Sequence, residues 1–189
     1  QGNSLWAYND AIFTDQDFEA ICRLGVGGKR RATQQIGRFG LGFNSVYNLT
    51  DLPSIISDEV VLFLDPHVRN LQSMGASTQK PGIKLRFLKI DVLERFPDQF
   101  QPYHLLLGCD LKKNQPFKGT LIRIPFRNAE TARNSEISNI IVDDAMLETL
   151  IQQFQAEAFQ WLLFLQNVRE ISMSRVRETQ DDGTPLLEP

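Results

Sequence analysis

Apolar positions recur along this chain at two different periods, and the longer one is clearest near the C-terminal end. From residue 144 to 166, Leu147, Leu150, Ile151, Phe154, Ala158, Trp161, Leu162 and Leu165 follow a three-to-four spacing, which predicts one long amphipathic helix. Asp143 and Asp144 stand where carboxylates cap the positive end of its dipole. Phe154, Phe159, Trp161 and Phe164 are assigned to core packing, because 13 phenylalanines must be buried somewhere. A second helix is predicted over residues 15–24: Thr14 with Asp17 three positions on is a helix start, Phe18, Ile21 and Cys22 share one face, and Gly25 ends the run. Residues 5–8, 60–64, 83–87, 121–124 and 168–176 alternate or are β-branched between Pro, Gly, Asn or Asp, and read as strands. Asp182-Gly183 marks a hairpin turn. Helices interspersed among strands without strict βαβ alternation predict an α+β two-layer sandwich with helices on one face of the sheet.

Residues 25–35, GVGGKRRATQQ, combine three glycines with three consecutive cations and little that could anchor them to a core, so a mobile loop is expected. Residues 36–49 then place Phe39, Leu41, Phe43, Val46 and Tyr47 at helical spacing after a glycine-rich start.

Composition narrows the class. At 189 residues with 42% apolar and 23% charged positions, the chain is expected to form one globular domain and is neither collagen-like nor wholly disordered. A net charge of -3 supplies no overall positive field for phosphate backbones, so nucleic acid is not an expected partner. Two cysteines, Cys22 and Cys109, are too few for a disulfide scaffold and fit a reducing, cytoplasmic or nuclear compartment. No apolar run approaches the ~20 residues of a membrane helix, and the first residues lack the pattern of a secretory signal.

The stretch IGRFGLGFNSVY, residues 36–47, sets glycines at 37, 40 and 42. That spacing is neither the dinucleotide fingerprint nor the Walker loop, since no GK[ST] comes after it. Glycines opening a helix let backbone N–H groups converge where the helix dipole is positive, which suits an oligophosphate; Lys29, Arg30, Arg31 and Arg38 would add to that field. A tight packing corner without ligand would need the same glycines. Asn9 and Asp10 suit adenine contact and equally suit ending a strand through side-chain to backbone bonds. Thr120 is open to both a ligand role and an ordinary strand role. His67 and His104 stand apart from any metal-ligand set and are assigned structural roles.

IGRFGLGFNSVYNLTDLPSII, with YNDAIFTDQDF before it and LFLDPH after it, resembles the sacsin-type repeat domain, strongly over residues 5–67 and more loosely beyond. That family is grouped with the GHKL superfamily of gyrase, the ninety-kilodalton heat-shock chaperone, histidine kinases and MutL. Their Bergerat fold, with its mixed sheet, binds ATP under a lid. The resemblance implies that Gly37, Arg38, Phe39, Gly40 and Gly42 form the second glycine box around the phosphates. Residues 24–35 would be the lid, with Lys29 its phosphate contact, and Thr120 the threonine that helps fix the adenine. Asn9-Asp10 would stand in for the first box, although the superfamily's glycines are missing there. ATP or ADP with Mg2+ is the implied cofactor, and partners would be other domains of a larger chain or client proteins. The family's first helix, with its glutamate base and magnesium-binding asparagine, has no counterpart in these residues, so the domain is expected to be incomplete at its N-terminus and to hydrolyse ATP negligibly. A non-hydrolysing scaffold or interaction domain on the same fold is the alternative. A histidine-kinase reading is set aside because neither histidine sits on a dimerisation helix.

Overall fold

A computed structural model describes residues 3–24, 41–78, 80–180 and 183–189, the side chains of 23, 24, 41 and 177–179 excepted. The chain forms two compact units, Gln1–Ile141 and Val142–Pro189.

The first unit runs β1 (Ser4–Asn9), α1 (Asp15–Leu24), α2 (Leu41–Asn44) continuing into a 3₁₀ turn at Ser45–Asn48, β2 (Ser54–Asp58), β3 (Val60–Leu64), β4 (Gly82–Arg86), α3 (Val92–Arg95), α4 (Pro97–Phe100), β5 (Phe117–Pro125) and α5 (Ala129–Asn134). The five strands form one sheet in the order β1-β5-β2-β3-β4. The α+β class is the one the element pattern predicts. Strand directions are more uniform than the mixed sheet implied by resemblance, since all four ladders are antiparallel. β2 was not legible as a strand, because Ser54 and Ser57 interrupt its apolar run, yet it sits at the sheet's centre with both serines buried.

Alternation divides the strand residues between two faces. Ile56, Val61, Phe63, Ile83 and Leu121 point to one side and bury Val92, Phe100, Tyr103 and Leu106 from the short helical turns of residues 87–108. Ile55, Val60, Leu62 and Leu64 point to the other, where Phe18 of α1 packs among them with Phe13, Ile21, Cys22 and Phe43 around it. The helical layer on one face is therefore α1 with α2, and the opposite face is covered as well, by segments whose short turns carry no readable period. α1 starts where expected, through a reciprocal cap: Asp17 N–H meets Thr14 Oγ1 at 3.3 Å while Asp17 Oδ2 accepts from Thr14 N–H at 2.8 Å. Lys84 of the edge strand β4 bonds Asp15 at 2.6 Å and lies 5.0 Å from the centre of the Phe18 ring, fixing α1 to that edge.

The second unit holds α6 (Asp144–Leu162) and a hairpin of β6 (Arg175–Thr179) and β7 (Pro185–Glu188). Asp143 caps α6, its Oδ1 accepting from Met146 N–H at 2.9 Å. The hairpin turns at Gly183, whose φ of 85° lies in the left-handed region. Two expectations are corrected here. The strand expected over 168–176 begins only at Arg175. The phenylalanines assigned to a core are not buried: no residue of α6 is, and Phe159 and Phe164 are 75% and 81% exposed. One helix and a two-stranded hairpin have too little surface to enclose that apolar face. Among the described residues no helix is long and apolar enough to cross a membrane.

Candidate functional site

The chain leaves the sheet at Asn9, the last residue of β1, which lies directly opposite Thr120 of β5. Asn9 Oδ1 accepts from Ala11 N–H at 3.1 Å, the side-chain turn that asparagine forms readily. Asp10 is exposed at the bend. Two fully buried hydroxyls secure the segment between this bend and α1. Thr120 Oγ1 donates to the Ala11 carbonyl at 2.8 Å, Ser57 Oγ accepts from Phe13 N–H at 2.9 Å and donates to the Gly119 carbonyl at 2.8 Å, and the two oxygens lie 2.9 Å apart. The Asn9 side chain thus ends the strand as a side-chain turn at the end of the sheet.

The close approach of Tyr8 and Asn9 to β5 depends on Gly119, which sits at φ 147° where the β2–β5 register shifts. A Cβ there would lie 2.7 Å from the Tyr8 ring and 2.8 Å from the Asn9 carbonyl.

Asn9, Ser57 and Thr120 pair across β1, β5 and β2, and two positions along, Ile55 and Ile122 belong to the cluster under α1 and α2. The same face of the sheet thus carries the turn and, through Phe43, the helix that comes after the glycine-rich stretch. Gly42 lies in α2, and among the described residues no atom comes within 4 Å of where its Cβ would stand. Lys29, Gly37, Arg38, Phe39 and Gly40 lie outside the described residues, as do residues 25–35 of the expected lid. A cavity of about 110 Å³ opens between Ile21 and Cys22 of α1, Asn44 and Tyr47, and Leu64 with Pro66 after β3. Burial raises the Cys22 thiol and pushes the Tyr47 phenol up to about 12, so both are neutral there at pH 7.

Arg127, 2% exposed, ties this helix to the sheet. Its guanidinium donates to Asp51 Oδ1 at 2.6 Å, the Tyr47 carbonyl at 2.6 Å and the Asn48 carbonyl at 3.0 Å, satisfying carbonyls that the 3₁₀ turn leaves open at its end. Sequence reasoning did not single out Ser57 or Arg127. Ser57 left one signal, a polar residue inside an apolar strand. Arg127 left none, its partners being 76 to 80 positions away.

His104 is buried, with Nδ1 accepting from Leu111 N–H at 3.3 Å, and His67 pairs with Glu136 at 3.2 Å on the surface. Among the described residues no group of three His, Cys, Asp or Glu side chains is placed to hold a metal ion.

Comparison with known proteins places the whole chain. The family model described as Sacsin domain matches residues 1–186. A protein of Homo sapiens named sacsin is 35% identical over 185 residues, which is 94% of this chain and 4% of that protein. The chain therefore spans a small part of the curated relative it matches. Since the match runs far beyond the glycine-rich segment and its flanks, through both units, this chain belongs to the sacsin domain family.

Proposed function

We propose that this chain is an ATP-binding module of a chaperone-like protein, in which nucleotide-dependent closure of residues 24–35 is coupled to neighbouring domains. The observation that carries this reading is the placement of Asn9, opposite Thr120, on the sheet face that also holds α1 and α2. A nucleotide on that face would set its adenine near Asn9 and Asp10. By the family resemblance its phosphates would fall to the glycine-rich segment before α2, with Lys29 and Arg38 as the cations expected to meet them. Relation to the GHKL superfamily is part of this proposal and rests on the resemblance of the glycine-rich segment. Mg2+ would come with the phosphates and neutralise part of their charge. Hydrolysis needs a positioned base, and these residues offer no counterpart to the superfamily's glutamate, so negligible turnover is expected.

The alternative, a non-hydrolysing scaffold on the same fold, is favoured by one observation. Asn9 Oδ1 already accepts from Ala11 N–H and the Thr120 hydroxyl already donates to the Ala11 carbonyl, so both side chains are engaged within the protein. Isothermal titration of the chain with ATP and ADP, with and without Mg2+, separates the two readings. Saturable heat that weakens in Asn9→Ala and Asp10→Ala supports the nucleotide module. Absence of heat at millimolar nucleotide refutes it in favour of the scaffold.

A further inference from the structure

Thr120 is the residue that the family resemblance would set against the ligand, yet its one proton is donated to the Ala11 carbonyl and its side chain is fully buried. Around the turn there are three donors, the Thr120 hydroxyl, the Ser57 hydroxyl and the Phe13 amide. Three acceptors face them: the Ala11 carbonyl, the Gly119 carbonyl and Ser57 Oγ. One assignment satisfies all six, with Thr120 donating to Ala11, Ser57 donating to Gly119 and Phe13 donating to Ser57. Every proton is then spent inside the protein, and both hydroxyls are at 0% exposure.

The segment these bonds hold has little else to hold it. Asp10, Ala11 and Ile12 are exposed, Ile12 by 50%, and besides the Asn9 side chain the next anchor is Phe13, edge-on to Phe18 at 5.4 Å. Four exposed or half-buried residues between a strand and a helix would otherwise sample several conformations. Ser57 and Thr120 come from β2 and β5, the two inner strands on this side of the sheet, so the clasp transfers the rigidity of the sheet to the turn.

We infer that Ser57 and Thr120 are positioning residues: a closed hydroxyl pair that holds the turn 10–13 in its binding shape and sets nucleotide affinity through that turn. The inference rests on the nucleotide reading proposed above. It differs from the direct role the resemblance gives Thr120, and it assigns to Ser57 a part that no sequence motif supplies. Releasing one residue of the turn would weaken binding about five- to thirtyfold, the entropy of fixing a single backbone unit.

The test compares Ser57→Ala, Thr120→Val and Thr120→Ser in the full chain, by ADP titration and by amide hydrogen exchange at Phe13, with Leu62 of β3 as a reference amide. Ser57→Ala is expected to speed exchange at Phe13 about tenfold or more, to leave Leu62 little changed, and to weaken ADP. Thr120→Val should weaken ADP likewise, and Thr120→Ser, which keeps the hydroxyl, should restore it. Were Thr120 instead a direct ligand contact, Thr120→Val would lose affinity while Ser57→Ala kept it, and the inference falls. Unchanged Phe13 exchange in Ser57→Ala also overturns it. If Ser57→Ala does not fold, the Thr120 pair decides: equal ADP affinity in valine and serine variants overturns the clasp. Failure of the unsubstituted chain to bind ADP at all marks instead the failure of the nucleotide reading, and Phe13 exchange then reports on the clasp by itself.

Discussion

Replacing Arg127 by Met keeps an unbranched apolar stem reaching about as far as Nε and removes the charge and all five donors. Three bonds are lost, to Asp51 and to the carbonyls of Tyr47 and Asn48. The Arg127 side chain is 1% exposed and that of Asp51 is 24% exposed, so the orphaned carboxylate keeps some access to water. Removing one partner of a buried pair costs roughly 3–5 kcal/mol. Hydration of Asp51 brings the cost to the low end, about 3 kcal/mol, including two carbonyls left without a donor. Urea unfolding measures this, with Trp161 changed to Phe so that Trp6 alone reports on the first unit. At a slope of about 2 kcal/mol/M the midpoint should fall by about 1.5 M with the slope unchanged.

Two further variants locate the effect. Arg127→Lys keeps the charge but not the fork, so it should recover only part of the loss. Asp51→Asn should cost less than Arg127→Met, because the guanidinium keeps both carbonyl bonds. A midpoint shift below about 0.3 M for Arg127→Met, or a lysine variant as stable as the parent, would refute the claim that this guanidinium holds the helix end to the sheet.

The geometry sets three other outcomes. Burial lowers the His104 pKa from its ordinary 6.5, against the pull of Asp110, and Nδ1 must stay unprotonated to accept from Leu111. The unfolded chain therefore binds more protons below pH 6.5. Stability should be unaffected by this group above that pH and fall as the pH drops through it, and His104→Gln should flatten that part of the profile in thermal melts; an unchanged profile rejects the assignment. Gly119→Ala should cost about 2 kcal/mol or more in urea, from a strained φ and contact with Tyr8 and the Asn9 carbonyl, and a neutral result would show that β1 can move away. Burial pushes the Cys109 thiol up to about 12 at 1% exposure, so in native conditions an aromatic disulfide reagent should modify the half-buried Cys22 first, and Cys109 only on unfolding. Equal native rates would contradict that burial.

What the sequence disclosed depended on whether a residue's role was local. Thr14 and Asp17 announced the start of α1, and Asp143 the start of α6, because a cap lies within four residues of the group it caps. β3 was legible because all five of its residues are apolar and buried. β2 was hidden for the opposite reason: its serines are satisfied by Tyr103, Gly119 and Phe13, partners far away in sequence that make buried polar atoms tolerable at the sheet's centre. The phenylalanines of residues 154–164 show the reverse error. Their period gave the helix, but period says nothing of whether a covering surface exists, and within the second unit it does not.

The candidate site carries the same lesson into motif reading. A first glycine box is sought as glycines at fixed offsets after an acidic residue, and Asn9 to Phe13 contain none, which counts against an adenine corner. The steric demand that such a glycine meets is a demand on space, and space near a strand end is shared between neighbours in the sheet. Here the corner at Tyr8 and Asn9 is given its room by Gly119, across the ladder and 110 residues on from Asn9, with hydroxyls from two strands fixing the turn at residues 10–13. Absence of glycine from Asn9 to Phe13 therefore does not by itself deny the strand end the room its turn needs. The informative substitution is at Gly119, where a single methyl group tests whether the turn at residues 10–13 depends on room left by the facing strand.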